Sequence, residues 1–141
     1  MTNEVKFEVC SLWDTTSAEL LLNNSKLAKK IKDFRDFKKQ NPIAAFGGSD
    51  TMFTSRGPIA QAIGERARHA HLTQDISIVY SVSGKNPTSI KLYGLFRHKD
   101  IGTGDPPKIR KQQSAALLMK NLTWNDDVTE NKKRRAHDRR K

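Results

Sequence analysis

Cysteine is almost absent from this chain: Cys10 stands alone. An internal disulfide framework and a cysteine-based zinc site are therefore both excluded, and Cys10, in a stretch of alternating apolar residues, reads as a small core residue. Long apolar runs are missing as well. No stretch approaches the roughly 20 residues that a membrane-crossing helix requires, and the opening residues MTNEVKFEVC lack the charged-then-apolar pattern of a secretory signal. The expectation is a cytoplasmic protein with no membrane partner. Several sites of known chemistry are missing too. Gly47-Gly48 is not followed by the lysine and serine or threonine of a phosphate-binding loop, so it reads as a turn. No serine near a histidine sits in a nucleophile elbow, and paired carboxylates for glycosidic chemistry cannot be assigned from spacing.

Acids are scarce beside bases, 15 Asp and Glu against 26 Lys and Arg in 141 residues, which leaves a net charge of +11. A field of that size draws in phosphate polymers through counterion release. RNA is the first partner to expect, and DNA the second. The hydrophobic fraction of 35% supports one modest core and not two. We therefore expect a single domain over residues 1–124 and a disordered basic tail over 125–141, where Lys132, Lys133, Arg134, Arg135, Arg139, Arg140 and Lys141 face Asp138.

Residues 5–13 alternate apolar and polar with a period of two and read as a strand with one buried face. Asp14, Thr15 and Thr16 follow as candidate caps. Leu20, Leu27, Ile31, Phe34 and Phe37 then recur at helical spacing over about 16–40, as one long helix or two with a break near Asn23-Asn24-Ser25. Lys26, Lys29, Lys30, Lys32, Arg35, Lys38 and Lys39 fall on the other face of that segment, a basic stripe suited to phosphate. Residues 46–58, including Arg56, read as loop, and 59–67 as a short helix or irregular approach. Three strands then follow in quick succession, Arg68 to Thr73, Ile76 to Val82 and Ser89 to Arg97, forming an antiparallel meander. Asp105, as a cap followed by proline, predicts a last helix from Pro107 to about Leu122.

The histidines and cations crowd at the ends of these strands. Residues 70–80, Ala-His-Leu-Thr-Gln-Asp-Ile-Ser-Ile-Val-Tyr, together with Leu95-Phe96-Arg97-His98-Lys99-Asp100-Ile101, resemble the RelE/ParE superfamily of small bacterial toxins, in particular its YafQ-like ribonucleases. The resemblance covers roughly residues 4–102. It departs where the family carries aromatic residues, at Ile76 and Gly102. It implies an α+β, RelE-like fold in which an N-terminal strand and a long helical segment pack on a small, mainly antiparallel sheet, with the C-terminal helix and basic tail as additions. It also implies an endoribonuclease toxin that cuts messenger RNA on the ribosome without metal or cofactor, neutralised by an antitoxin protein.

The implied chemistry is attack by a ribose 2′-hydroxyl on the adjacent phosphate, which needs a base, an acid and cations against the developing charge. His71 and His98 are the acid and base candidates, because histidine changes charge near neutral pH. Asp75 and Asp100 are candidates to orient an imidazole or act as base. Arg68, Arg97 and Lys99 are candidates to hold the phosphate, with Arg56, Lys29, Lys30, Lys132, Arg134 and Arg135 extending the RNA surface. Three alternatives stay open at this level: Asp75 as a turn residue, His98 as a surface histidine, and Tyr80 and Phe96 as core. His69 and His71 point the same way on a strand, but no third ligand at diagnostic spacing makes them a metal pair. Two other functions are compatible with the same scaffold, a non-catalytic DNA- or RNA-binding protein and a ParE-like gyrase poison.

Overall fold

The computed structural model describes residues 5–47, 50–53, 57–63, 67–84, 88–101 and 108–127. Arg56, Gly102, Asp105, Lys132, Arg134 and Arg135 lie outside them. The alternating segment at the N-terminus forms strand β1, Val5–Val9, but it stops four residues short of the expected end. Helix α1 spans Ser11–Leu21. Asp14, Thr15 and Thr16 are therefore interior helical residues and not caps. The Thr15 and Thr16 hydroxyls donate to the carbonyls of Ser11 and Leu12 one turn back, a local bond that lets threonine sit inside a helix.

The chain breaks at Asn23, whose φ of 55° is in the left-handed region that asparagine tolerates better than most side chains. Helix α2, Ser25–Gln40, then starts on Asn24, whose side chain accepts the Leu27 N–H. Two helices thus stand where the periodicity allowed one or two. The α2 stripe buries Leu27, Ile31 and Phe34. The basic stripe is smaller than its sequence implies. Lys38 is fully buried, and Arg35 is paired with Asp127.

The remaining elements are strand β2 (Thr51–Met52), helix α3 (Pro58–Ile63), strands β3 (Ala67–His71), β4 (Ile76–Ser83) and β5 (Thr88–Arg97), helices α4 (His98–Ile101) and α5 (Ile109–Leu118), and strand β6 (Asn125–Asp126). The six strands run in the order β2-β3-β4-β5-β1-β6. All neighbours are antiparallel except β1 and β5, which are parallel. The architecture is α+β with a mainly antiparallel sheet, as expected. Differences lie at the margins: β2 falls in the expected loop, α5 is shorter than the expected helix at both ends, and β6 extends the packed residues to Asp127 rather than 124. Asn125 and Asp126 are poor strand formers. Their strand is held by pairing with Val9 and Glu8, by the Asp127 N–H on the Phe7 carbonyl, and by Asp126 on Lys6 at 2.9 Å.

Strand alternation divides the core into two faces. On one, Ala70, Leu72, Ile76, Ile78, Tyr80, Ile90 and Leu92 pack against Leu27, Ile31 and Phe34 of α2. On the other, Ala67, Val79, Tyr93 and Phe96 pack against Ile59 of α3, Ile101 of α4 and Ala115 and Ala116 of α5. Beyond the end of β1, the second half of β5 is covered by α1. The Cys10 thiol approaches the Leu92 and Tyr93 carbonyls, and Thr16 Oγ1 accepts the Leu95 N–H at 3.0 Å. These bonds occupy a strand edge that would otherwise be open.

Candidate functional site

The β3–β4 hairpin closes on itself at Leu72, whose N–H donates to the Ile76 carbonyl. Thr73 Oγ1 accepts the Asp75 and Ile76 N–H groups, a local turn of the kind serine and threonine favour. Asp75 is thus a turn residue, and it also contacts the end of β5. Ile76 pairs with Arg97, so one step further Asp75 lies opposite His98. The His98 N–H donates to the Asp75 carbonyl at 2.6 Å, and Arg97 Nη1 donates to the Asp75 carboxylate at 2.6 Å. One turn therefore holds both the cation and the histidine at the end of β5. His98 begins α4 instead of ending the last strand.

On β3, Ala70 and Leu72 turn toward α2, so His69 and His71 turn to the opposite face. His71 and His98, 27 positions apart in sequence, meet there with ring centroids 5.1 Å apart at 61°. His69 lies 6.1 Å from His71 and 4.6 Å from the Phe53 ring, and its Nε2 is 3.3 Å from Thr51 Oγ1. Three imidazoles thus stand in a row. Burial, and then the nearby charge of His71, push the His69 imidazole down to about 4. Burial, and then a charge on His98, also lower His71. His69 and His71 are therefore neutral at pH 7, and a proton on His98 disfavours one on His71.

Several expected site residues are placed elsewhere. Arg68 turns toward α2, where its guanidinium donates to the Asp50 carboxylate at 3.0 Å, the Asp50 carbonyl at 2.8 Å and the Tyr80 hydroxyl at 3.2 Å. Its charge is committed internally. Lys29 and Lys30 are exposed on α2, in the layer across the sheet from the histidines. Lys99 and Asp100 are exposed on α4, and Asp100 makes no bond to either imidazole among the described residues. Arg97 is half-exposed beside the pair. Tyr80 and Phe96 are core, the alternative left open by the sequence. Ser77, which sequence reasoning passed over, pairs with His71 on one side and Phe96 on the other. The signal for it was the strand period itself, since Ser77 is a polar residue between Ile76 and Ile78 in an apolar strand. Among the described residues no group of three His, Cys, Asp or Glu side chains could hold a metal ion. No described helix is long and apolar enough to cross a membrane.

No family model and no curated protein matches the sequence. Two solved structures are similar to it. A YoeB/ParE toxin from Agrobacterium tumefaciens is 18% identical and superposes with a TM-score of 0.48 over 67% of this chain and 98% of its own. The E. coli DinJ-YafQ toxin-antitoxin complex is 13% identical, with a TM-score of 0.47 over 70% of this chain and 96% of its own. The likeness is one of fold. Both are toxins by name.

Proposed function

We propose that the chain is an endoribonuclease of the RelE/YafQ type, which cuts messenger RNA at a site formed by His71, His98, Arg97 and Asp75. The observation that carries this reading is the His71–His98 pair itself. Burial and the neighbouring His98 disfavour a proton on His71, which suits it to act as a base beside a second imidazole that can act as the acid. Neutral His71 takes the proton of the ribose 2′-hydroxyl, whose oxygen forms a bond to phosphorus. The bond from phosphorus to the 5′-oxygen breaks, and His98 supplies the proton to that leaving oxygen. The products are a 2′,3′-cyclic phosphate and a free 5′-hydroxyl. Arg97 opposes the charge that develops on the phosphate oxygens, and the Asp75 carboxylate holds the guanidinium in place until the phosphate arrives. Lys99 extends the cationic rim. The net charge of +11 supports RNA, and the ribosome that carries it, as the partner, and suits an acidic antitoxin that would cover the same surface.

Primer extension on a defined messenger RNA, with and without ribosomes, tests the reading. Discrete new ends that vanish in the His71→Ala, His98→Ala double variant support it, and dependence on ribosomes supports the toxin assignment. Intact RNA under all conditions overturns it. A second reading, a binding protein without catalysis, is favoured by the exposed Lys26, Lys29 and Lys30 on the layer away from the histidines. In that case the double variant retains full nucleic-acid affinity and no RNA is cut.

A further inference from the structure

The hydroxyl of Ser77 is buried and without a hydrogen-bond partner among the described residues. Such a group is costly in a core, since an alanine in the same place would lose nothing and remove an unmet polar atom. Its location is specific. The Leu72 N–H donates to the Ile76 carbonyl at the end of the β3–β4 hairpin, so the next pair, His71 and Ser77, is of the non-hydrogen-bonded kind, whose side chains approach more closely. Both side chains project to the face away from α2, because Ile76 and Ile78 on either side of Ser77 pack into the α2 core. Phe96, directly opposite Ser77 on β5, closes its other flank. The Ser77 hydroxyl therefore sits at the root of the His71 ring, on the floor of the histidine pair, and shielded from solvent.

We propose that Ser77 is a positioning residue for His71: its hydroxyl is linked through one enclosed water to a His71 ring nitrogen, and so fixes which nitrogen carries the proton. A base needs its free nitrogen turned toward the substrate. The inference rests on the reading of His71 as the base. A floor hydroxyl fixes that choice from below while His98 faces the ring from α4. The other groups around the ring are His69 on the same strand, Arg97 on β5, and Asp75 in the turn; Lys99 is on α4 with His98. None of them replaces a bond from β4.

The test compares the full chain with Ser77→Ala and with Ser81→Ala. Ser81 is a second buried serine on β4 without a hydrogen-bond partner among the described residues, paired with Ala67 and Lys91 instead of a histidine, and serves as the control. The first readout is the pair of His71 ring-nitrogen resonances by NMR on the protein alone, which report the tautomer without RNA. The proposal expects one dominant tautomer in the parent protein and in Ser81→Ala, and a mixed or reversed one in Ser77→Ala, with a melting temperature no lower than the parent's. The second readout is RNA cleavage, expected to fall roughly tenfold in kcat with little change in KM and a shifted pH profile. Unchanged His71 resonances in Ser77→Ala overturn the proposal. Altered resonances in a protein that cuts no RNA uphold the role of Ser77 and discard the ribonuclease reading.

Discussion

Lys38 shows how far a single residue can depart from its type. Its ammonium is buried between Asp50 Oδ2 at 3.2 Å and the Ala44 carbonyl at 2.5 Å, 4.9 Å from the Tyr80 ring centre. Burial lowers its pKa more than Asp50 raises it. Asp50 is equally buried, yet its carboxyl is held below the usual range: burial pushes it up, and the Tyr80 hydroxyl, the Phe46 N–H, Lys38 and Arg68 together outweigh that. The two ends of the pair differ because the carboxylate has four donors and the ammonium two acceptors. Lys38→Met is therefore expected to cost about 3 kcal/mol, and Asp50→Asn more, since it leaves the buried Lys38 ammonium with neutral acceptors only and takes the carboxylate from Arg68 as well; urea unfolding checks both. His69 adds a pH dependence. With its pKa at about 4 in the fold and near 6.5 unfolded, the unfolded chain binds a proton between those values and the folded chain does not. Stability therefore rises with pH across that window and falls on acidification by about 3 kcal/mol. Below it, Asp50 adds a further loss as its carboxylate is protonated. Unfolding curves between pH 7 and 4 should lose the first slope in a His69→Phe variant.

At the scale of elements, the central strands were legible in the sequence and the edges were not. β4 and β5 announce themselves by runs such as Ile76-Ser77-Ile78-Val79-Tyr80, and the break at Asn23-Asn24 is marked by turn residues. The switch from β1 to α1 was hidden, because Trp13 continues the odd-numbered apolar positions Val5, Phe7 and Val9 and so extends the strand period into the helix. Nothing in the sequence marks Lys38 as buried, because its partner Asp50 lies in a loop that has no periodicity of its own. β6 is made of polar residues and exists only through its pairing. The site was half legible: the histidine and aspartate motifs led to His71, His98 and Asp75, while the commitment of Arg68 to Asp50 depends on which face of β3 it takes. One glycine joins the elements tightly. A Cβ on Gly94 would lie 2.8 Å from Phe96 Cε2 and 3.1 Å from Thr16 Oγ1, so Gly94→Ala must displace a core ring or α1. A loss of about 1–3 kcal/mol is expected from such overpacking, measurable as a lower melting temperature and weaker amide protection at Leu95.

For the whole molecule, charge is the dominant property, and under the proposed function its layout separates binding from cutting. Arg97 and Lys99 adjoin the histidine pair, whereas Lys26, Lys29 and Lys30 lie across the sheet. RNA affinity should therefore fall steeply with salt. Replacing Lys26, Lys29 and Lys30 together by Gln should reduce the slope of log K against log salt by up to about 2 if all three touch single-stranded phosphates, with the rate of cleavage of bound RNA unchanged. Under the proposed function His71 and His98 act as one unit, and single-turnover cleavage of a labelled RNA on ribosomes by His71→Ala, His98→Ala and the double variant is the measurement to make. Losses of at least about 100-fold are expected in each single variant, with a double variant little worse than either and intact RNA affinity throughout. Cleavage at the parent rate in either single variant would contradict that function.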